Sequence, residues 1–204
     1  MIEIENLCKS FGNKVLFDKF NLTIRDGEFI VFAGESGCGK TTLLNMIGGL
    51  EKTDSGIIRI DGKDIKERKN LKEYYLYKVG FLFQNFALVE NKTVRENLEF
   101  VQKKARTDIS IEEALNKVGL ADKINEKIYK LSGGEQQRVA AARLLVKKCM
   151  IVLADEPTGS LDSRNGKRIM EMLHMMNEMG KTIIVVTHNE NIINSERRVV
   201  QLCQ

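Results

Sequence analysis

The chain has 204 residues, of which 43% are hydrophobic and 29% are charged. This length fits one α/β domain better than two, because domains commonly hold about 100–200 residues. The 32 basic residues are mixed with 28 acidic ones and leave a net charge of +4. Nucleic-acid-binding domains usually carry a denser basic surface, so the composition argues against a nucleic-acid partner.

The apolar runs of the sequence are short. None approaches the ~20 residues that an α-helix needs to cross a bilayer, and the first residues, MIEIENLCKSFG, lack the apolar core of a secretion signal. We therefore expect a cytoplasmic protein. The cysteines lack C-x-x-C spacing and are expected to be reduced packing residues. They are Cys8, Cys38, Cys149 and Cys203.

The N-terminal part has the periodicity of β-structure. Ile2 and Ile4 alternate with acidic residues, and Phe20, Leu22 and Ile24 alternate with polar ones, which predicts two half-exposed antiparallel strands. The run Glu28–Ala33 is short and almost continuously apolar, as in a strand of a sheet that is covered on both faces. Val79–Phe83 is predicted to be another buried strand, and Ile57–Ile60, followed by the turn Asp61-Gly62, to be one strand of a hairpin.

Helical patterns dominate from Thr93 to about Lys148. Ser/Thr-x-x-Glu capping boxes predict helix starts at Thr93 and Ser110. The remaining elements are predicted as a strand Met150–Ala154, a helix Asn165–Met179 and a last strand Thr182–Val186. The chain is thus expected to have a β-rich start, a parallel α/β core and a helical insertion between two core strands.

A glycine-rich segment with the pattern G-x-x-x-x-G-K-T lies between a predicted strand and the helix-compatible run Thr42–Leu50. Glycines let backbone N–H groups curl around phosphate oxygens, and the following helix start adds positive charge. We predict that Lys40 bridges the β- and γ-phosphates and that Thr41 is a ligand of Mg²⁺. Cys38 is expected to be a small loop residue, with a redox switch as the alternative. The candidate nucleotide-binding residues here are Gly34, Glu35, Ser36, Gly37, Cys38, Gly39, Lys40, Thr41 and Thr42.

Two carboxylates, Asp155 and Glu156, follow the predicted strand Met150–Ala154. Asp155 suits a site that holds Mg²⁺ through water, and Glu156 can orient or deprotonate the attacking water. Such a pair is weak evidence alone, because most acids after a strand are solvated. In a chain that also has the phosphate loop, the pair predicts ATP hydrolysis.

A second anion site is predicted where Ser132 and Glu135 repeat the capping-box spacing ahead of the helical run Gln137–Lys148. The serine hydroxyl, Gly133, Gly134 and the free N–H groups of a helix start suit a phosphate. Two different phosphate sites in one chain make sense if the second one serves a nucleotide held by another copy.

This second segment, LSGGEQ (Leu131–Gln136), resembles the LSGGQ-type signature of the ABC ATPases, with Glu135 where glutamine is commonest. The resemblance extends over essentially the whole chain. It assigns Gln84 to the Q-loop, which contacts Mg²⁺ and senses the transporter. It also assigns Asp162 to the D-loop, and it makes His188 a catalytic residue together with Glu156.

The family also implies that Phe11 stacks on adenine, although Phe11 could instead be an ordinary core residue. His174 lies beside the core face of its predicted helix and is expected to be structural.

The resemblance implies the fold of a P-loop NTPase of the ABC ATPase type. We expect an N-terminal antiparallel β subdomain, a mostly parallel RecA-like core sheet and an inserted helical subdomain at about residues 86–148, all within one domain, 1–204. It also implies ATP and Mg²⁺ as cofactors. The expected partners are a second copy, joined head to tail in an ATP-dependent homodimer, and an integral membrane permease at the inner face of the cell membrane.

Two longer segments, Gly80–Phe100 and Ala154–Gly166, resemble the lipoprotein-release, macrolide-export and bacteriocin-export branch. The expected cargo is a peptide or bacteriocin, a lipoprotein or a drug-like molecule. The alternative is a non-transport ABC ATPase, for example one of the cell-division type. A GTPase is disfavoured because the NKxD motif is absent: Asn91–Val94 fails at its last position.

Overall fold

The fold is taken from a computed structural model that describes residues 1–202, so the prediction for Cys203 lies outside the described part. The strands are β1 (Ile2–Phe11), β2 (Lys14–Ile24), β3 (Phe29–Ala33), β4 (Ser55–Ile60), β5 (Lys63–Asp64), β6 (Val79–Leu82), β7 (Ile151–Asp155), β8 (Thr182–Val186) and β9 (Val199–Gln201). The helices are α1 (Lys40–Ile47), α2 (Arg68–Tyr77), α3 (Val94–Glu99), α4 (Ile111–Lys117), α5 (Gly133–Val146), α6 (Ser163–Glu178) and α7 (Glu190–Ser195). Short 3-10 helices lie at Lys103–Ala105, Ala121–Lys123 and Ile128–Lys130.

An antiparallel sheet with the strand order β2-β1-β4-β5 forms from the N-terminal part. Ile2 lies opposite Ile24 on one side and Ile60 on the other. Because side chains alternate along a strand, Ile2, Ile4 and Ile24 share the buried face. The two predicted half-exposed strands are confirmed.

A parallel sheet with the order β6-β7-β8-β3-β9 forms the centre. It is covered on both faces, since Val31 packs in one apolar cluster while Ile30 and Phe32 pack in the other. The prediction that Thr182–Val186 is the last strand is wrong, because β9 follows it and pairs with β3. Strand β9 is only three residues long and follows a charged segment, so it gives almost no periodic signal.

The segment between β6 and β7 contains α3, α4 and α5, and α3 and α4 both pack against α5. Thr93 and Ser110 form complete capping boxes at the starts of α3 and α4, as predicted. That about residues 86–148 form an inserted helical subdomain within one domain, 1–204, remains a prediction.

Helix α6 packs its apolar face on the core, with Ile169, Met172, Leu173 and Met176 buried as predicted. His174 on the same helix stacks on the ring of Phe29 at 4.6 Å, in agreement with a structural role. Across residues 1–202, no helix is both long and apolar enough to cross a membrane.

Candidate functional site

The glycine-rich loop joins the end of β3 to the start of α1. Gly34 and Gly39 have φ angles of 143° and 98°, which side-chain-bearing residues rarely adopt. A Cβ atom on Gly34 would also lie 2.3 Å from the carbonyl oxygen of Leu202. The loop therefore keeps its shape only with glycine there. Its tip, residues 35–37, is exposed, and Thr42 lies in the first turn of α1.

Lys40 is folded into this loop and is only 8% exposed. Its Nζ donates to the carbonyl oxygens of Gly34 and Glu35 at 2.7 and 2.8 Å. The ammonium is therefore held inside the curl of the loop, where it could turn to a phosphate oxygen. Cys38 is buried beside it, with its sulfur 4.0 Å from the Lys40 Nζ; the redox switch at Cys38 stays a hypothesis.

Asp155, the last residue of β7, faces the start of α1. The Thr41 hydroxyl donates to Asp155 Oδ1 at 2.9 Å. Burial raises the pKa of Asp155, and the neighbouring Glu156 adds to the effect, while Thr41 and Lys40 oppose it. The paired hydroxyl and carboxylate oxygens fit Mg²⁺, which is bound through one or two carboxylates together with substrate phosphates and several waters.

Asp155→Asn should raise the melting temperature of the ATP-free protein at pH 7 by roughly 1–4 °C. The pKa of Asp155 is raised in the fold, so the folded state holds this proton more tightly than the unfolded state, and ionising the carboxylate costs stability. An amide oxygen can still accept the Thr41 hydrogen bond without a charge. Thermal melts from pH 7 downward test this: the gain should shrink as the pH falls toward about 4. A pH-independent gain would contradict it.

Glu156 directly follows Asp155 but makes different contacts. Its Oε1 lies 2.7 Å from His188 Nδ1, and its Oε2 accepts a hydrogen bond of 3.1 Å from the Thr187 hydroxyl. Its φ angle is 44°, a left-handed value that is uncommon outside glycine. The histidine side chain is 72% exposed and that of Glu156 16%. Two predicted catalytic residues are thus in direct contact, with Glu156 mostly covered.

Gln84 follows β6 and comes close to the same sheet edge. A Cβ atom added to Gly159 would lie 3.4 Å from Gln84 Nε2 and 3.5 Å from Glu156 Cβ. Both side chains therefore reach the turn that follows β7. Carboxyl ends of neighbouring parallel strands meet at one edge, and Gln84 lies at that edge; its assignment to the Q-loop stays a prediction.

Phe11 lies at the tip of the β1–β2 hairpin and is 52% exposed, so the alternative of an ordinary core residue is wrong. Its cross-strand neighbour is Lys14, whose Nζ donates to the carbonyl oxygen of Gly37 at 2.9 Å. This hydrogen bond ties the hairpin tip to the glycine-rich loop. Phe11 therefore offers an aromatic surface beside the loop.

Ser132 and Glu135 form a complete capping box at the start of α5. The Ser132 hydroxyl donates to Glu135 Oε2 at 2.9 Å, and the Ser132 N–H donates to the same oxygen at 2.8 Å. The hydrogen bond from the Ser132 N–H is the main reason why the pKa of Glu135 is lowered. Gly133 and Gly134 form the first turn of the helix behind this box.

Asn165, which the sequence analysis did not single out, connects this turn to Asp162. The backbone N–H and the Nδ2 of Asn165 donate to the Asp162 carboxylate at 2.8 and 2.7 Å. Its Oδ1 accepts a hydrogen bond of 2.8 Å from Arg138. A Cβ atom on Gly134 would lie 2.6 Å from Asn165 Cγ. The serine-glycine turn is thus packed against the start of α6.

The site residues therefore fall into two groups. The loop 34–41, Asp155, Glu156, His188, Gln84 and Phe11 cluster around the carboxyl ends of β3, β6, β7 and β8 and the hairpin beside them. The turn at residues 132–135 packs against Asn165 at the start of α6 and, at Gly133, lies near the Phe86 ring. A model of the family described as ABC transporter matches residues 17–159 of the chain.

The chain belongs to the ABC transporter family. This confirms the resemblance found in its motifs, and the two sheets and helices agree with the predicted P-loop fold of the ABC ATPase type. The macrolide export ATP-binding/permease protein MacB of Campylobacter jejuni is 37% identical over 209 residues, which cover 99% of this chain and 33% of that protein. The chain thus spans about a third of the length of the macrolide export proteins that it matches.

Other relatives are of similar length. The uncharacterized ABC transporter ATP-binding protein YvrO of Bacillus subtilis is 40% identical over 212 residues, covering 98% of this chain and 92% of that protein. A solved dimeric structure of the ATP-binding cassette MJ0796, in a post-hydrolysis state bound to ADP and Pi, matches with a TM-score of 0.85 and 37% identity. The match covers 99% of this chain and 94% of that one. The chain is therefore an ATP-binding and ATP-hydrolysing cassette.

Proposed function

We propose that this ABC ATPase powers a membrane permease that exports its cargo, and that it works as a head-to-tail homodimer closed around two ATP molecules. The observation that carries the proposal is that two sets of phosphate-binding groups have different neighbours. The loop 34–41 is bonded to the end of β7 through Thr41 and Asp155, whereas the turn 132–135 packs against Asn165 and Phe86. A second copy would bring that turn to the first copy's nucleotide.

The residues near the loop have distinct tasks in this scheme. Lys40 binds the β- and γ-phosphate oxygens, and Thr41 and Asp155 are the residues that would hold Mg²⁺, Asp155 through water. Bound Mg²⁺ would neutralise charge on the phosphates. Glu156 orients or deprotonates the attacking water, and His188, held by Glu156 at 2.7 Å, contacts the γ-phosphate.

The remaining site residues complete the pocket. Phe11 stacks on adenine, and Gln84 reaches the metal site from the end of β6. From the second copy, Ser132 to Glu135 close on the terminal phosphate, with Asp162 beside them. Solved structures of a similar cassette, MJ0796, are described as dimeric, which supports this assembly.

The permease would dock in a groove of about 350 Å³ between α2, β6 and the helices that follow. Its lining includes Phe81 and Phe83, whose rings stack at 5.3 Å, and Phe100, which is 57% exposed. Arg143 at the groove donates to the carbonyl oxygens of Ala87 at 2.7 Å and, more weakly, of Phe86. These bonds join the groove to the segment that directly follows Gln84. A permease that moves Arg143 when it docks would therefore also move Gln84.

Phe100→Asp should abolish co-purification of the tagged chain with a membrane protein of several spans and should leave the basal ATPase rate within about twofold. Burying a new carboxylate in an apolar contact is costly, whereas the ATP site is elsewhere. The measurement is affinity purification from detergent-solubilised native membranes, with the copurified protein identified by mass spectrometry. Met179→Asp is the matched control, since Met179 is 48% exposed and lies outside the groove. Retained co-purification of Phe100→Asp would contradict the docking site.

The proposed cargo is drug-like, peptide or bacteriocin, or lipoprotein, and the names of the macrolide-export relatives support export. The ATPase would then lie at the cytoplasmic face of the membrane, bound to the permease. A non-transport ABC ATPase of the cell-division type is the second candidate. A partner with no path for cargo through the membrane would favour it.

A further inference from the structure

Lys9 is a lysine buried at the edge of the candidate ATP site. It is 6% exposed, although lysine is almost never buried without a partner. Alternation along β1 puts it on the same face as Phe11, two residues later. Its Nζ lies over the Phe11 ring, 4.7 Å from the ring centroid. The ammonium thus contacts one face of an aromatic ring that is 52% exposed.

The other contacts of this ammonium fix its position. Nζ donates to Glu51 Oε1 at 2.6 Å and to the Lys52 carbonyl oxygen at 2.8 Å, and it lies 3.6 Å from Asp54 Oδ1. Asp54 in turn accepts a hydrogen bond of 2.7 Å from the Ser10 N–H. The hydrogen bond to Glu51 is the main cause that raises the pKa of Lys9, so this group stays charged at neutral pH.

We propose that Lys9 is a positioning residue for the nucleotide base: its anchored ammonium holds one face of the Phe11 ring, so that the opposite face receives a purine. This inference rests on the proposed contact between Phe11 and adenine. A lone phenylalanine at a hairpin tip would sample several rotamers, and fixing it before ATP arrives reduces the entropy lost on binding. A cation also draws ring electrons toward itself, which favours stacking of an electron-rich purine on the far face.

Lys9→Met tests the proposal, because methionine keeps an unbranched apolar side chain but removes the charge. Binding is measured by calorimetry with two probes, ATP and inorganic tripolyphosphate, which lacks the base. Lys9→Met should weaken ATP binding about three- to tenfold and leave tripolyphosphate binding unchanged. The KM for ATP should rise by a similar factor while kcat changes little. Lys9→Arg should restore most of the affinity, since guanidinium also binds aromatic faces.

Phe11→Ala separates the inference from the function on which it rests. With Phe11→Ala present, adding Lys9→Met should cause no further loss of ATP affinity. If Phe11→Ala weakens ATP binding but Lys9→Met does not, the role of Lys9 is wrong and the adenine contact stands. If Phe11→Ala leaves ATP binding unchanged, the adenine contact itself is wrong.

Further variants exclude a purely structural effect. An equal loss of affinity for ATP and tripolyphosphate in Lys9→Met would mean that the loop 34–41 is disturbed, and it would overturn the proposal. Glu51→Gln weakens the hydrogen bond that anchors the Lys9 ammonium but keeps the ammonium itself. It should therefore cause a smaller loss of affinity than Lys9→Met, for ATP and not for tripolyphosphate. Lys63→Met is the matched control: Lys63 belongs to the same sheet and forms an exposed ion pair with Glu73 at 3.2 Å, so ATP binding should not change.

Discussion

Glu156→Gln should lower the ATPase rate of the cassette by at least about 100-fold while ATP binding is kept. The amide cannot accept a proton from water, but it has the same shape and can still contact His188 and Thr187, which lie within hydrogen-bonding distance of Glu156. Because the ATP is no longer split, the variant should accumulate as a dimer in ATP and Mg²⁺. Steady-state phosphate release, calorimetry and size-exclusion chromatography measure the three effects.

The matched control for this variant is Glu178→Gln, since Glu178 is an exposed glutamate near the end of α6. It should retain the wild-type rate. A Glu156→Gln protein that turns over normally would show that another group activates water. If it binds ATP but stays monomeric, the dimer proposal would be contradicted and the role of Glu156 would be unaffected.

Two inactive variants, Lys40→Ala and Ser132→Phe, should regain ATPase activity when they are mixed. In a head-to-tail dimer, the mixed pair contains one complete pocket, made by the loop of the Ser132→Phe copy and the turn of the Lys40→Ala copy. With random pairing and independent sites, the activity should reach about a quarter of the wild-type rate, because half of the dimers are mixed and each has one intact pocket of two. Phosphate release is measured for each variant and for the mixture.

Each variant alone also tests the proposal, because Lys40→Ala changes the loop and Ser132→Phe changes the turn. Lys40→Ala loses the ammonium that the loop holds at Gly34 and Glu35. Ser132→Phe loses the helix cap, at a cost of about 1 kcal/mol, so a thermal melt must show that it is folded. A folded Ser132→Phe protein with a normal rate would mean that one copy hydrolyses ATP alone. A mixture without activity would also contradict the composite pocket.

Much of the site could be predicted because its chemistry is local in sequence. The loop 34–41 carries its glycines, lysine and threonine in one segment, and the strand before it is apolar on both faces. Capping boxes are equally local, and those at Thr93, Ser110 and Ser132 all form. The buried strand before Asp155 and Glu156 is enough to predict that these two acids belong to the site. Their different contacts, Asp155 with Thr41 and Glu156 with His188, are seen only in the structure.

Residues that act through tertiary contacts could not be predicted in this way. Thr187 bonds Glu156 across 31 positions, and Asn165 bonds Arg138 across 27; neither pair has a spacing rule. Lys9 has the sequence environment of a solvent-facing strand lysine, and only the fold shows that Glu51 and Phe11 cover it. For the contact between Thr187 and Glu156, the sequence offers one indication: Thr187 directly precedes the predicted site residue His188.

The link through Asn165 has a mechanical consequence. The side chain of Asn165 fills the space over Gly134 and bonds both Arg138 and Asp162, so the starts of α5 and α6 are joined by packing and by hydrogen bonds. Asp162 is only six residues after Glu156. In the proposed dimer, a nucleotide that contacts one copy's serine-glycine turn would therefore also contact the segment that leads to that copy's own Glu156.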